Sequence, residues 1–231
     1  MTLRRPSVVP YIASWSPEQV PSPVVISPRG GIAYRDEDTC DRDGKGRLWL
    51  RTLIKPRCGR PELGRVHPLR QRRAMNRLLC QVCGGPSDRD ERGTLWLLED
   101  CREDWHGWPN GLLTVHPPVC VPCARIAVGA CPNLRAGSVA VRVGSSEVAG
   151  VYGVNYQPGK KKARVVEDGD PASRWVLASQ LALSLSDCTL IDLDEITDAP
   201  TNLSCLPPVA TPMAAGGFPA AASCGPRQVR P

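Results

Sequence analysis

The sequence predicts an α+β fold with β-hairpins, built on three observations. Two Cys-x-x-Cys pairs stand at Cys80/Cys83 and Cys120/Cys123. A decapeptide echo, DRDGKGRLWL at 41–50 and DRDERGTLWL at 88–97, repeats D-R-D-x-x-G-x-L-W-L. Between the echoes, residues 68–79 carry a helical pattern. The chain divides into an extended N-terminal arm (1–31), an α+β domain (32–135), a small β-hairpin plus helix unit (136–198) and a tail (199–231).

The arm is proline-punctuated, with Pro6, Pro10, Pro17, Pro21, Pro23 and Pro28. Proline removes a backbone donor and fixes φ, so regular helix is excluded and Val24–Ile26 can add at most an edge strand. Each echo reads as a turn followed by a strand. Asp and Gly suit the turn, and Leu-Trp-Leu suits the strand leaving it. Duplication and convergence on the same turn chemistry both explain the pair.

The helix predicted at 68–79 opens on Pro68, a residue suited to a first helical position. Ala74, Met75, Leu78 and Leu79 share one face, and Arg70, Arg73 and Arg77 share another, with Arg72 nearby. Further on, Val139, Val141 and Val143 alternate as a strand and GSSE at 144–147 reads as a turn. Residues 148–156 read as a second strand and 164–166 as a third. Asp170 and Pro171 then look like a helix start, and Leu177, Leu181, Leu185 and Cys188 form an apolar seam at helical spacing. Residues 190–193 would return as a strand. From Pro200 the composition is Pro, Ala, Gly and Ser, which predicts a disordered tail.

Among the 231 residues, 24 Pro and 21 Gly mark many turns. The net charge of +6 is uneven. Residues 1–80 hold 16 Lys and Arg against 7 Asp and Glu, while the remainder is slightly acidic. A basic first third raises the odds of an acidic partner such as DNA. No apolar run approaches the roughly 18 residues of a spanning helix, and the start lacks an uninterrupted apolar segment, so a cytoplasmic chain with no membrane partner is expected. Eleven cysteines, an odd number, fit metal ligands and core residues better than a disulfide framework in such a compartment.

Cys80, Cys83, Cys120 and Cys123 are the candidate metal ligands. Two residues between cysteines let both thiolates turn toward one ion, and two such knuckles supply four soft ligands, the chemistry of Zn2+. Gly84 and Gly85 give the first knuckle the freedom of a tight turn. The pattern resembles a treble-clef or zinc-ribbon knuckle, although the 36-residue spacer from Cys83 to Cys120 exceeds the roughly 15–20 of a simple ribbon. Cys101, His106 or His116 stand as substitutes for one ligand. Four thiolates leave no open position, which favours a structural centre.

Other chemistry finds less support. The segment from CQVCGG through DWHGWPNG to PPVCVPC resembles, in outline, the ββα-metal fold of HNH nucleases. That resemblance implies a degenerate or active endonuclease, with Asp104, His106 and Asn110 in the catalytic positions. The metal-binding His that the family carries after its second knuckle is replaced by Ala124-Arg125-Ile126. Asp88, Asp90, Gly93 and Glu99 match four positions of a calcium loop, but Arg92 falls where an oxygen ligand belongs. Dinucleotide, Walker, nucleophile-elbow and HExxH motifs are absent, so no small-molecule substrate is evident. Arg70, Arg73 and Arg77 could sit on phosphates, against the commoner use of such a stripe as a solvated face. Taken with GRPELGRVHPLRQRRAMNRLLCQVCGG and RWVLASQL, the whole chain resembles proteins of high-GC actinobacteria such as the streptomycetes. The expected function is a structural-zinc binding or interaction module rather than an enzyme. A zinc-stabilised DNA-binding protein using helix 68–79 is the alternative.

Overall fold

The computed structural model describes residues 8–21, 23–27, 30–159 and 161–196. The predicted tail at 199–231 lies outside them, as do parts of the predicted arm. The described fold is α+β and mostly strand.

The arm is pinned by pairing. β1 (Ala13–Trp15) runs antiparallel to β4 (Pro61–Val66), and β2 (Val24–Ile26) pairs with β3 (Ile32–Tyr34). Ala13–Trp15 fits between Pro10 and Pro17, and the proline of its partner strand, Pro61, stands at the first position of β4, where a strand tolerates it. The first echo makes a tight turn closed by an isolated bridge between Arg42 and Leu48, with Leu48 and Trp49 buried.

α1 (Pro68–Asn76) begins as the sequence predicts and stops earlier. His67 caps it, its Nδ1 accepting from the Arg70 amide at 3.4 Å. The predicted 68–79 span is cut short because Leu78 adopts a left-handed φ of 48°. Its carbonyl then accepts from the Ser87 hydroxyl.

The second echo forms the expected hairpin, β5 (Arg89–Asp90) and β6 (Gly93–Glu99). β7 (Leu113–Thr114), α2 (Val121–Ala130) and α3 (Pro132–Ala136) follow. β8 (Ser138–Asn155), β9 (Lys162–Glu167) and β10 (Val176–Ile191) complete the described chain. One antiparallel sheet takes the order β5-β6-β8-β10-β7, with β9 added to β8 beyond the end of β6. It crosses the expected boundary at 135/136, because β6 pairs with β8.

Two expectations are corrected. The predicted helix from Asp170 to Cys188 is a single turn of 3-10 helix at Pro171–Trp175 followed by the 16-residue strand β10. Leucines four residues apart satisfy a helix face and, equally, two full alternations of a strand. The partner decides: β10 pairs with β8 along nearly its whole length. The predicted turn at 144–147 is continuous strand, since Ser145 and Ser146 lie opposite Ser186 and Leu185.

β6 is buried on both faces. Leu95 and Leu97 point toward the cysteines, Val119 and Ala124. Trp96 and Leu98 point the other way, against Trp108, Val141 and Leu185. Burying such side chains stabilises the fold by about 1.5–3 kcal/mol each. A third cluster packs Met75 of α1 and Trp49 against Leu181 and Leu183 of β10.

Candidate metal centre

The first knuckle follows α1 directly. The Cys80 amide donates to the Gly85 carbonyl and the Gly84 amide to the Cys80 carbonyl, both at 2.8 Å, folding 80–85 into a tight loop. Gly84 sits at φ +75°, and a Cβ there would stand 2.7 Å from the Tyr11 ring. The Tyr11 amide donates to the Val82 carbonyl at 2.8 Å, so the N-terminal segment straps the knuckle.

The second pair arrives on a helix. Cys120 is the N-cap of α2 and Cys123 lies in its first turn, where Pro122 costs no hydrogen bond. Residues 118–119 thread between knuckle and hairpin. The Gln81 amide donates to the Pro118 carbonyl, the Val119 amide to Leu95, and the Asp88 amide to Val119, at 2.9–3.1 Å. Knuckle, hairpin and helix are thus locked by backbone hydrogen bonds.

These constraints bring all four sulfurs within 4.8 Å of one another. The Cys83 and Cys120 sulfurs stand 3.9 Å apart. A disulfide needs about 2.05 Å, whereas thiolates about 2.3 Å from a tetrahedral ion stand about 3.8 Å from each other. Cys80 and Cys123 are fully buried, Cys120 nearly so, and Cys83 partly. The quartet can hold a metal ion.

The electrostatics favour thiolate on the first knuckle. Hydrogen bonds with the Cys120 and Cys123 thiols pull Cys80 down to about 7, and a hydrogen bond from the Cys83 amide adds to this. Cys83 is lowered by the same two thiols and by the Gly85 amide. The protons collect on the helix side, where hydrogen bonds with Cys120, Cys80 and Cys83 push Cys123 up. Four thiols this close deprotonate together when a cation replaces their shared protons.

Other predicted site residues lie elsewhere. Among the described residues the four cysteines form the one group of His, Cys, Asp or Glu placed to share an ion, and Cys101, His106 and His116 are outside it. Asp104, His106 and Asn110 sit exposed on the 101–112 loop. The Asn110 side chain is committed to the Cys188 amide and the Gly107 carbonyl. Asp88 and Asp90 turn to the buried Arg142, at 2.5 and 3.2 Å, instead of converging as a calcium loop.

The arginine stripe is divided. Arg73 and Arg77 are exposed, but Arg70 is buried and bound to Glu18 and to the Ala13 carbonyl. The expectation that Arg70 faces a nucleic acid is therefore corrected: its guanidinium neutralises a buried carboxylate. Arg72 stacks over Trp49 at 3.9 Å. The Tyr11 strap carried no signal in the sequence, since it reaches the knuckle from about 70 residues away along the chain.

The chain matches no protein-family model, no curated protein and no solved structure. The centre therefore rests on its own geometry.

Proposed function

We propose that Cys80, Cys83, Cys120 and Cys123 hold one zinc ion as the closed structural centre of a treble-clef-like unit, and that the chain acts as a binding or interaction module. The observation that carries this reading is the packing of four sulfurs, three of them on buried cysteines, within 4.8 Å of one another. The order of knuckle, hairpin and helix-borne ligand pair supports a treble-clef arrangement. Four protein thiolates fill a tetrahedral shell and leave no place for water or substrate, which favours a structural role. Soft sulfur ligands in this geometry select zinc or iron.

The test is elemental analysis of the purified full chain. One zinc per chain is expected, and Cys120→Ser should lose it while Cys58→Ser, at an exposed loop position, keeps it. Metal-free protein that is nonetheless folded, or zinc retained by Cys120→Ser, would overturn the proposal. Iron with visible charge-transfer absorbance would reassign the ion.

A further inference from the structure

We propose that the outer face of α1, together with the 53–65 segment beside it, binds the phosphate backbone of a nucleic-acid duplex. Residues 51–77 contain nine Lys or Arg and one acidic residue, Glu62. The structure separates these cations by use. Arg51 is held by Asp36 and Asp41, Arg60 by Glu62 and Arg70 by Glu18. Arg72 lies on Trp49. Lys55, Arg57, Arg65, Arg73 and Arg77 are exposed and form no ion pair among the described residues. Among the described residues Arg65 meets the neutral amide of Gln19.

Glu18 gathers these groups. It is buried, its oxygens accepting from the Lys55 amide and from Arg70. Gln19, which meets Arg65, is its chain neighbour. Arg73 lies one helical turn beyond Arg70, and Arg77 is the C-cap of α1. Five cations thus stand on elements that meet at one buried carboxylate, and Arg70 already neutralises that carboxylate. Among the described residues, the one carboxylate of this segment, Glu62, is taken by Arg60.

Four of the five are arginines, whose planar guanidinium matches phosphate in a two-pronged contact. The described part of the face presents no aromatic side chain for stacking on bases, so the contacts would be to the backbone and independent of sequence. Leu53, Ile54 and Leu69 are the large apolar side chains exposed on this face, and three residues without an amphipathic helix to carry them are too little apolar surface for stable insertion into a membrane. The inference does not depend on which ion the cysteines hold.

The test uses the full chain, metal included, and fluorescence anisotropy with a mixed-sequence duplex of about 20 base pairs, as DNA and as RNA. For four or five phosphate contacts, log K against log salt on DNA should slope at about −3.5 to −4.5. Arg57→Glu/Arg73→Glu/Arg77→Glu should weaken binding at least about thirtyfold at unchanged metal content and circular dichroism. Arg73→Gln/Arg77→Gln should weaken it less and flatten the slope. Reversing Arg92 and Arg102, which pair locally with Asp90 and Asp100, should change little. Absence of binding at low salt, or equal loss with the Arg92/Arg102 control, would overturn the proposal. So would equal affinity for anionic vesicles or polyglutamate.

Discussion

Both carboxylate oxygens of Glu18 lie 2.7 Å from guanidinium nitrogens of Arg70, in a two-pronged ion pair closed off from solvent. The Trp15 and Lys55 amides donate to the same carboxylate, and His67 stands 3.7 Å away. This one contact ties the N-terminal segment, the 52–55 loop and α1 together. It also sets the direction of the molecule's response to acid.

Burial pushes the Glu18 carboxyl up, but the Arg70 hydrogen bonds and the two amides override it and leave it at about 2, against an ordinary 4.5. A depressed carboxyl contributes stability above its unfolded pKa and loses it as pH falls toward the folded value. The contribution is about 3 kcal/mol at neutral pH, lost between about pH 4.5 and 2. Glu18→Gln leaves Arg70 buried without a counter-charge, and should cost about 3–5 kcal/mol at pH 7. Denaturant midpoints at pH 7 and pH 3 check this: the variant should be weaker at pH 7 and lose less on acidification. Equal acid losses in both proteins would contradict it.

His67 adds a second window at higher pH. Burial lowers its pKa below 6.5, so the unfolded chain takes up a proton before the folded one does. Stability should therefore begin to fall as pH drops below 6.5. His67→Gln should reduce that early loss, to which His116, also lowered by burial, contributes, while leaving the Glu18 window in place. The measurement is thermal midpoint against pH, sampled from 7 to 5.

Metal removal should act on the fold more than on any chemistry. The cysteines share a core with Leu95, Leu97, Val119 and Ala140, so an uncompensated thiol quartet weakens the seam between α2 and the sheet. A strong chelator should lower the thermal midpoint of the wild type and leave Cys83→Ser, already metal-poor, unshifted. Cysteines bind a metal ion as thiolates, so metal loss should speed up as pH falls. A midpoint indifferent to chelator in metal-replete protein would count against a structural centre.

The cysteine quartet was legible in the sequence because a knuckle is local. Two residues between ligands mark each pair, and Gly84 and Gly85 give the first its tight turn; bringing the two pairs together is left to tertiary hydrogen bonds such as that from the Gln81 amide to the Pro118 carbonyl. α1 was legible for a similar reason, through Pro68 and the spacing of Ala74 and Met75. β10 was not. Leu, Ala and Ser in VLASQLALSLSDC have no strong strand preference, and pairing with β8 outweighs their helical tendency. Arg70 misled in the same way: its partner Glu18 lies 52 residues away, and helical spacing alone placed it on an outer face.

Gly84 tests the strap over the knuckle. At φ +75° an L side chain is strained, and an added Cβ meets the Tyr11 ring at 2.7 Å. Gly84→Ala should cost about 1–3 kcal/mol from the two effects combined. Tyr11→Ala removes the clash and leaves the backbone strain. The penalty for Gly84→Ala should therefore be smaller in that background, and a double-mutant cycle on denaturant midpoints measures the difference. Additive penalties would mean that the ring does not bear on the knuckle.

Gln71 links α1 to β10 across 110 residues of chain. Its side-chain amide donates to the Val115 carbonyl at 2.8 Å and the Leu181 carbonyl at 2.9 Å, and its oxygen accepts from the Leu181 amide at 2.9 Å. The primary amide thus mimics a strand residue, satisfying both polar groups of Leu181 from the α1 side. Gln71 is fully buried, so water cannot replace it. Gln71→Leu keeps similar volume but leaves three backbone groups without partners, each costing about 1–3 kcal/mol. A loss of at least about 3 kcal/mol is expected, with faster hydrogen exchange at the Leu181 amide. Gln71→Glu should be as damaging, because it removes the donor and buries a charge. If Leu181 keeps its protection in Gln71→Leu, the backbone has found another partner and the link is not what holds α1 to β10.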